Sequence, residues 1–348
     1  MCCSTSELVF WLVTICYAFA ADSVVNLYTP AIFRVVHRLR TLAIDKCWSL
    51  ENGIGIETPK LLFFKYSGPM NGFLIDYLNA LVEADLDFGF EAEFGEYGDI
   101  LYNLLRDIGC IRVLTVCSYM LQIISTAEEY PMLKPPLYKM RHLIMKTALH
   151  INEYHGISFF LFSCPRLQTL TIHISSSTTI FPEREATLSL VDHEFLSNGY
   201  IMVYKCLKRT LKVVNVTGFK GHLNEMVSQF INFSALTSLS LAWIQLSTTS
   251  FNALLSNCQL LESLSLKRCW NLENLNISTA RLRTLVINKC WSLENGIGIE
   301  TQKLLFFKYS GPMNGFRIDY LNALGEADLD FGFEAEFGEY GDILYDLL

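Results

Sequence analysis

The densest gathering of chemically capable side chains is His150-Ile-Asn-Glu153-Tyr-His155. Zinc proteases carry two His four residues apart on one helix face, with a Glu beside the first. Here the His are five apart and the Glu is three on, which scatters them around a helix. His37, His142, His173, His193 and His222 form no spaced cluster and read as surface or satisfied core residues. No G-x-S-x-G elbow, P-loop or G-x-G-x-x-G occurs. Gly53, Gly55, Gly89, Gly95 and Gly98 lack a following Lys-Ser/Thr or a strand-to-helix context, and are turn glycines. The eleven cysteines contain no C-x-x-C pair and no Cys/His zinc spacing. We therefore expect no catalytic residue, no cofactor and no metal, and a protein that is not an enzyme.

What remains is binding chemistry, and it sits on a repeated apolar frame. Leu261-x-x-Leu264-x-Leu266-x-x-Cys269, Leu272-x-x-Leu275-x-Ile277 and Leu282-x-x-Leu285-x-Ile287-x-x-Cys290 follow one another within thirty residues. This is the leucine-rich-repeat pattern, a short strand feeding a turn whose buried polar position takes Asn or Cys. A strand alternates faces, so the spaced Leu and Ile enter a core and the residues between them face solvent. One such strand cannot bury its apolar side alone, but a stack can. The theme recurs at Ile111, Met140, Leu167, Leu211 and Leu236. Helical stretches are expected over Asp99 to Ile108, Glu153 to Phe162, Asp192 to Thr210 and Thr249 to Asn257. From Leu261 to Leu272 is eleven residues and to Leu282 ten more, room for strand and turn but no helix. The expected fold is α/β, a leucine-rich-repeat solenoid or horseshoe with irregular repeats. Some repeats carry convex-side helices and others only turns.

On that frame the solvent-facing strand positions would line the concave face. Candidate protein-binding residues are Ser265, Asn276 and Arg283, with Trp243, Lys267, Arg268, Asn288 and Lys289 at the strand ends. An exposed aromatic beside Arg and Lys is the usual makeup of a binding hot spot. The competing reading packs Trp243 into the turn after its strand.

Composition bounds the partners. Hydrophobic residues are 51% and charged residues 18% of 348, too apolar for a disordered chain. Of 35 acids, seven fall in Glu83 to Asp99 and seven in Glu326 to Asp342, which leaves 21 acids against 27 basic residues elsewhere. These stretches interleave with Phe and lack EF-hand spacing, so they read as solvated loops. No Lys/Arg run grips a phosphate backbone, and nucleic acid is not an expected partner. Cys47, Cys269 and Cys290 occupy the repeat's turn position, which argues for buried thiols in a reducing cytoplasm or nucleus. Leu8 to Ala20 is a thirteen-residue apolar run with the look of a signal peptide. It follows Glu7 rather than a basic segment and is too short to span a bilayer.

A long duplication organises the rest. Arg38 to Leu105 recurs as Arg281 to Leu348, 243 residues later, and the 68 positions differ at six. Turn and core positions match alike, which marks a copying event or a fused gene model rather than a packing period. We read residues 1–37 as a signal-like or unrelated stretch, 38–232 as the later part of a repeat module, and 233–348 as the early part of a second.

The segments LTSLSL through Cys269, RLRTLVINKCWSLE from Arg281, KLLFFKYSG from Lys60 and Lys303, and FLFSCPRLQTLTIHI from Phe160 resemble plant F-box/leucine-rich-repeat proteins of the FBD type. The resemblance implies a horseshoe that captures a protein substrate for a ubiquitin ligase. That family opens with an F-box, a helical stretch starting Leu-Pro that docks a Skp-type adaptor. Residues 1–37 show no such stretch, so adaptor docking is not expected. The reading is a non-catalytic interaction scaffold with an unnamed protein ligand. The alternatives are a secreted or membrane-associated repeat fragment, which needs Leu8 to Ala20 to act as a signal, or a rearranged product without retained function.

Overall fold

The computed structural model describes residues 31–34, 39–45, 54–70, 73–76, 78–88, 97–124, 137–175, 204–218, 233–293, 296–312, 316–319 and 323–331. The run Leu8 to Ala20, the start of the helix expected from Asp192, and Cys47 lie outside them. The chain divides into two compact units, Met1–Leu167 with Thr179–Tyr204, and Gln168–Thr178 with Lys205–Leu348.

The first unit holds strands β1 (Ala31–Arg34), β2 (Thr41–Asp45), β3 (Ile54–Glu57), β4 (Phe63–Gly68), β5 (Phe73–Asp76), β6 (Glu83–Phe88), β7 (Val113–Val116) and β8 (His142–Thr147). Its main sheet runs β2-β4-β6-β7-β8, every pair parallel. β1, β3 and β5 form a second parallel sheet from the return segments. Alternation decides what is buried. In β6, Ala84, Leu86 and Phe88 point inward while Glu83, Asp85 and Asp87 face outward. Tyr66, Phe73 and Phe88 close the space between the sheets, with ring centroids 5.2, 5.5 and 6.0 Å apart. Later returns are helical, at Tyr97–Asp107, Ser118–Ile123 and Tyr154–Ser163.

The second unit repeats the plan. Its strands are β9 (Thr169–Ile174), β10 (Val213–Thr217), β11 (Ser238–Ala242), β12 (Ser263–Lys267), β13 (Leu275–Ile277), β14 (Thr284–Asn288), β15 (Ile297–Glu300), β16 (Phe306–Gly311), β17 (Phe316–Asp319) and β18 (Glu326–Phe331). The main sheet is β9-β10-β11-β12-β14-β16-β18, all parallel. Helices Lys205–Arg209 and Thr248–Ser256 return behind it. The spacing of facing residues tracks the return. Leu239 to Leu264, around a helix, is 25 residues, while Leu264 to Leu285, around a strand, is 21. Register is set at each strand entry by one shared carbonyl. Thr237 O accepts from Glu262 N and Ser263 N, Glu262 O from Arg283 N and Thr284 N, and Arg283 O from Leu305 N and Phe306 N.

Two expectations are corrected. Leu272-x-x-Leu275-x-Ile277 does not stack between its neighbours. β12 pairs directly with β14, and β13 pairs with β15 in a separate three-stranded sheet β13-β15-β17. The returns of the short repeats are therefore strands rather than turns only. Their backbone groups satisfy one another across a second ladder, which a stack of bare turns would leave to water. The expected helices at Asp99, Glu153 and Thr249 are present within two residues of their expected limits, and of the fourth Lys205–Arg209 is helical.

Candidate protein-binding surface

The solvent side of the second unit's sheet is built from small hydroxyls. Ser238, Ser263 and Thr284 stand in one row across the strands, and Ser240 and Ser265 in the next, between Asn215 and Val286. All are half-buried, beside Leu239, Leu264 and Leu285, which enter the core. The Ser265 hydroxyl is enclosed without a hydrogen-bond partner among the described residues.

At the C-terminal ends of these strands the backbone turns left-handed, one residue per strand. Gly218 has φ 81°, Trp243 58°, Arg268 51° and Lys289 53°. Their N–H groups donate one strand over, to Ala242 O at 3.0 Å, Lys267 O at 2.9 Å, Asn288 O at 2.7 Å and Ser310 O at 2.5 Å respectively. Only Gly takes this conformation without a steric penalty. For the other three, the ladder bond and the turn behind it hold the strain in place. Behind the turn Cys269 Sγ donates to Leu241 O at 3.5 Å, and Cys290 Sγ to Leu266 O at 3.7 Å. Both thiols are buried, and Cys269 is pushed well above the usual thiol range by its hydrogen bond to Cys290 and by burial. They act as small hydrophobes that cap the preceding strand.

The left-handed turn throws three large side chains outward in a row. Trp243 is 49% exposed, and the Arg268 guanidinium lies over its ring, 4.3 Å from the centroid. This is cation–π geometry. Trp243 does not pack into the turn. Lys267, Arg283 and Lys289 are exposed, Asn288 is half-buried, and among the described residues none of these three cations forms a salt bridge. The structure thus brings Trp243, Ser265, Lys267, Arg268, Arg283, Asn288 and Lys289 to one sheet. Asn276 stands apart, exposed on β13 of the other sheet with its Oδ1 toward Gly298.

The His150 to His155 cluster has a different use. The buried Glu153 carboxylate accepts from the Thr147 hydroxyl at 2.7 Å and from the N–H groups of Ala148 and His150, at 3.2 and 2.9 Å. It closes the turn that follows β8. Ion pairs form elsewhere, Lys146 with Asp85 at 3.3 Å and Asp87 at 3.7 Å, and Lys308 with Asp328 at 2.5 Å. Among the described residues no helix is long and apolar enough to cross a membrane.

Parallel strands at leucine spacing, returned by helices or short strands, define a leucine-rich-repeat chain of mixed α/β class. The particular kind follows from comparison with known proteins. Residues 186–306 match the family described as FBD-associated F-box protein At5g56370, LRR repeats. Among Arabidopsis thaliana proteins, the F-box candidate At3g29830 is 36% identical over 198 residues, covering 54% of this chain and 41% of that protein. The F-box/LRR-repeat candidate At5g54820 is 31% identical over 215 residues, covering 59% and 44%. F-box protein At3g62230 is 32% identical over 191 residues, covering 54% and 40%. The matches span about four tenths of the length of those relatives. The repeats of this chain are similar to those of plant F-box/leucine-rich-repeat proteins of the FBD-associated type.

Proposed function

We propose that this chain is a non-catalytic protein-recognition scaffold, the substrate-capturing part of a ubiquitin-ligase-type protein. In this reading the solvent side of the second unit's sheet is the concave face of a repeat horseshoe. The observation that supports it is the row Trp243, Arg268 and Lys289, fixed at successive strand ends above a floor of Ser240 and Ser265. A floor of small side chains excludes little and admits a partner's backbone, while the aromatic and cationic rim supplies the anchor that usually dominates interface energy. The relatives' names carry the F-box connection, and they support a protein-interaction role here. The working compartment in this reading is the cytoplasm or nucleus, where the seven free cysteines among the described residues stay reduced. In this reading residues 38–232 are the later part of one repeat module and residues 233–348 the early part of a second.

The test is site-directed photo-crosslinking of the full chain in plant cells. A photoreactive side chain at Ser265 should capture a discrete partner. The same group at exposed Asn252, on the helix Thr248–Ser256, should not. Equal capture at both positions, or none at Ser265, would refute the assignment of this face.

A further inference from the structure

The strand-end row has a chemistry specific enough to name its ligand class. We propose that it binds an acidic segment of a protein, with Arg268 reading a carboxylate in a fork. This rests on the recognition role proposed for the same face. The guanidinium lies against the Trp243 ring on one side, and none of its five N–H donors is bonded among the described residues. A planar fork held in one orientation matches a carboxylate bidentately, and loses less freedom on binding than a loose cation. Lys267 precedes it at the end of the same strand, and Lys289 stands at the next. Both are exposed and, among the described residues, without an acid.

The row is bounded. On one side the equivalent position is Gly218, which has no side chain. On the other, Ser310 donates to Asp330 at 3.0 Å, which ends the cationic stretch. Lys308 in that neighbourhood is already held by Asp328. Adjacent strands lie about 4.8 Å apart, so Trp243 to Lys289 spans roughly 10 Å. An extended peptide repeats its side chains on one face about every 7 Å, which places two carboxylates, at i and i+2, within the row. The exposed Trp243 beside them offers apolar area to the residue that follows.

Fluorescence anisotropy with the full chain tests this. The probe is a fluorescein-labelled peptide Gly-Glu-Leu-Glu-Leu-Gly, against its Gln-for-Glu counterpart, a phosphoserine-for-Glu counterpart and a single-stranded oligonucleotide of equal charge. We expect the Glu peptide to bind, the Gln peptide to bind about tenfold more weakly, and Arg268→Lys to lose about fivefold because the fork is gone although the charge stays. Arg268→Gly should lose about tenfold while melting no lower, since Gly suits φ 51° better than Arg. Lys308→Ala should change nothing. Equal binding of the Gln peptide, or unchanged affinity in both Arg268 variants, overturns the proposal. Tighter binding of the oligonucleotide or of the phosphopeptide overturns it in favour of a phosphate ligand. If the peptides fail while Ser265 still cross-links a partner, the recognition face stands and only its ligand chemistry falls. If both fail, both readings fall.

Discussion

Trp243, Arg268 and Lys289 hold φ between 51° and 58°, a conformation that costs an L side chain about 1 to 2 kcal/mol. Replacing Lys289 by Gly should therefore stabilise the fold by up to about 1 kcal/mol, less the greater entropy Gly loses on folding. Chemical denaturation measures this, and a loss of stability would show that the Lys289 stem contributes packing. Nothing about Trp, Arg or Lys signals left-handed backbone, so the row was legible only as a list of exposed types after each strand. Its common geometry came from the ladder bonds to the next strand. Thiols and phenols behave more regularly. Burial pushes Cys117 and Cys206 to about 11, and Cys258 and Tyr119 to about 12. The folded state thus keeps protons that the unfolded chain gives up. Their contribution to stability is fully present below pH about 9 and is lost as pH rises through 11 to 12. Cys258→Ala should flatten that alkaline decline relative to the parent, measured by urea midpoints between pH 8 and 11.

At the scale of elements, the helix Thr248–Ser256 is started by Ser247, whose Oγ accepts from Ser250 N at 3.2 Å. Ser247→Ala should cost about 1 kcal/mol, read as a lower melting temperature. The helix Tyr154–Ser163 packs closely on Ser118–Ile123 through Gly156, where an added Cβ would meet the Leu121 backbone. Gly156→Ala should cost about 1 to 3 kcal/mol because backbone cannot step aside. Gly298→Ala should cost less, since the obstacle there is the Asn276 side-chain amide, which can rotate away. Equal losses would mean that Asn276 is pinned. The main strands were readable because their apolar period and their hydroxyl face agree. β13 was misassigned because Leu275 and Ile277 show the same alternation, and alternation reports that a strand has a buried side, not which sheet it joins. The four-residue returns at Ile54 and Ile297 were missed since Ile-Gly-Ile-Glu is too short and too Gly-interrupted to stand out as a strand.

For the whole molecule, the duplicated block is an internal control. Glu-Ala-Asp-Leu-Asp-Phe occurs twice, as β6 and as β18. In β6 it pairs with β4 and β7, and Leu86 is fully buried. In β18 it pairs with β16, no second strand neighbour occurs among the described residues, and Leu329 is half-buried. Leu86→Ala should cost about 2 to 5 kcal/mol and Leu329→Ala less than half as much, compared by denaturation of the two variants. Equal costs would show that β18 is covered as fully as β6. Identical residues also find different charge partners. Asp85 is held by Lys146 from two strands away, while Asp328 is held by Lys308 on the adjacent strand. Family type and strand stacking were readable at this scale. The asymmetry between the copies was not, because it belongs to the neighbours rather than to the repeated residues.

That near-identity has a kinetic consequence. β12 pairs with β14, but β2 carries almost the same five residues, Thr-Leu-Ala-Ile-Asp against Thr-Leu-Val-Ile-Asn. A refolding chain therefore meets two nearly equivalent docking strands, one correct and one that traps it in the wrong order until it unfolds again. The competition is intramolecular, so dilution would not relieve it, and synthesis on the ribosome presents β2 before β12 and β14 only after it.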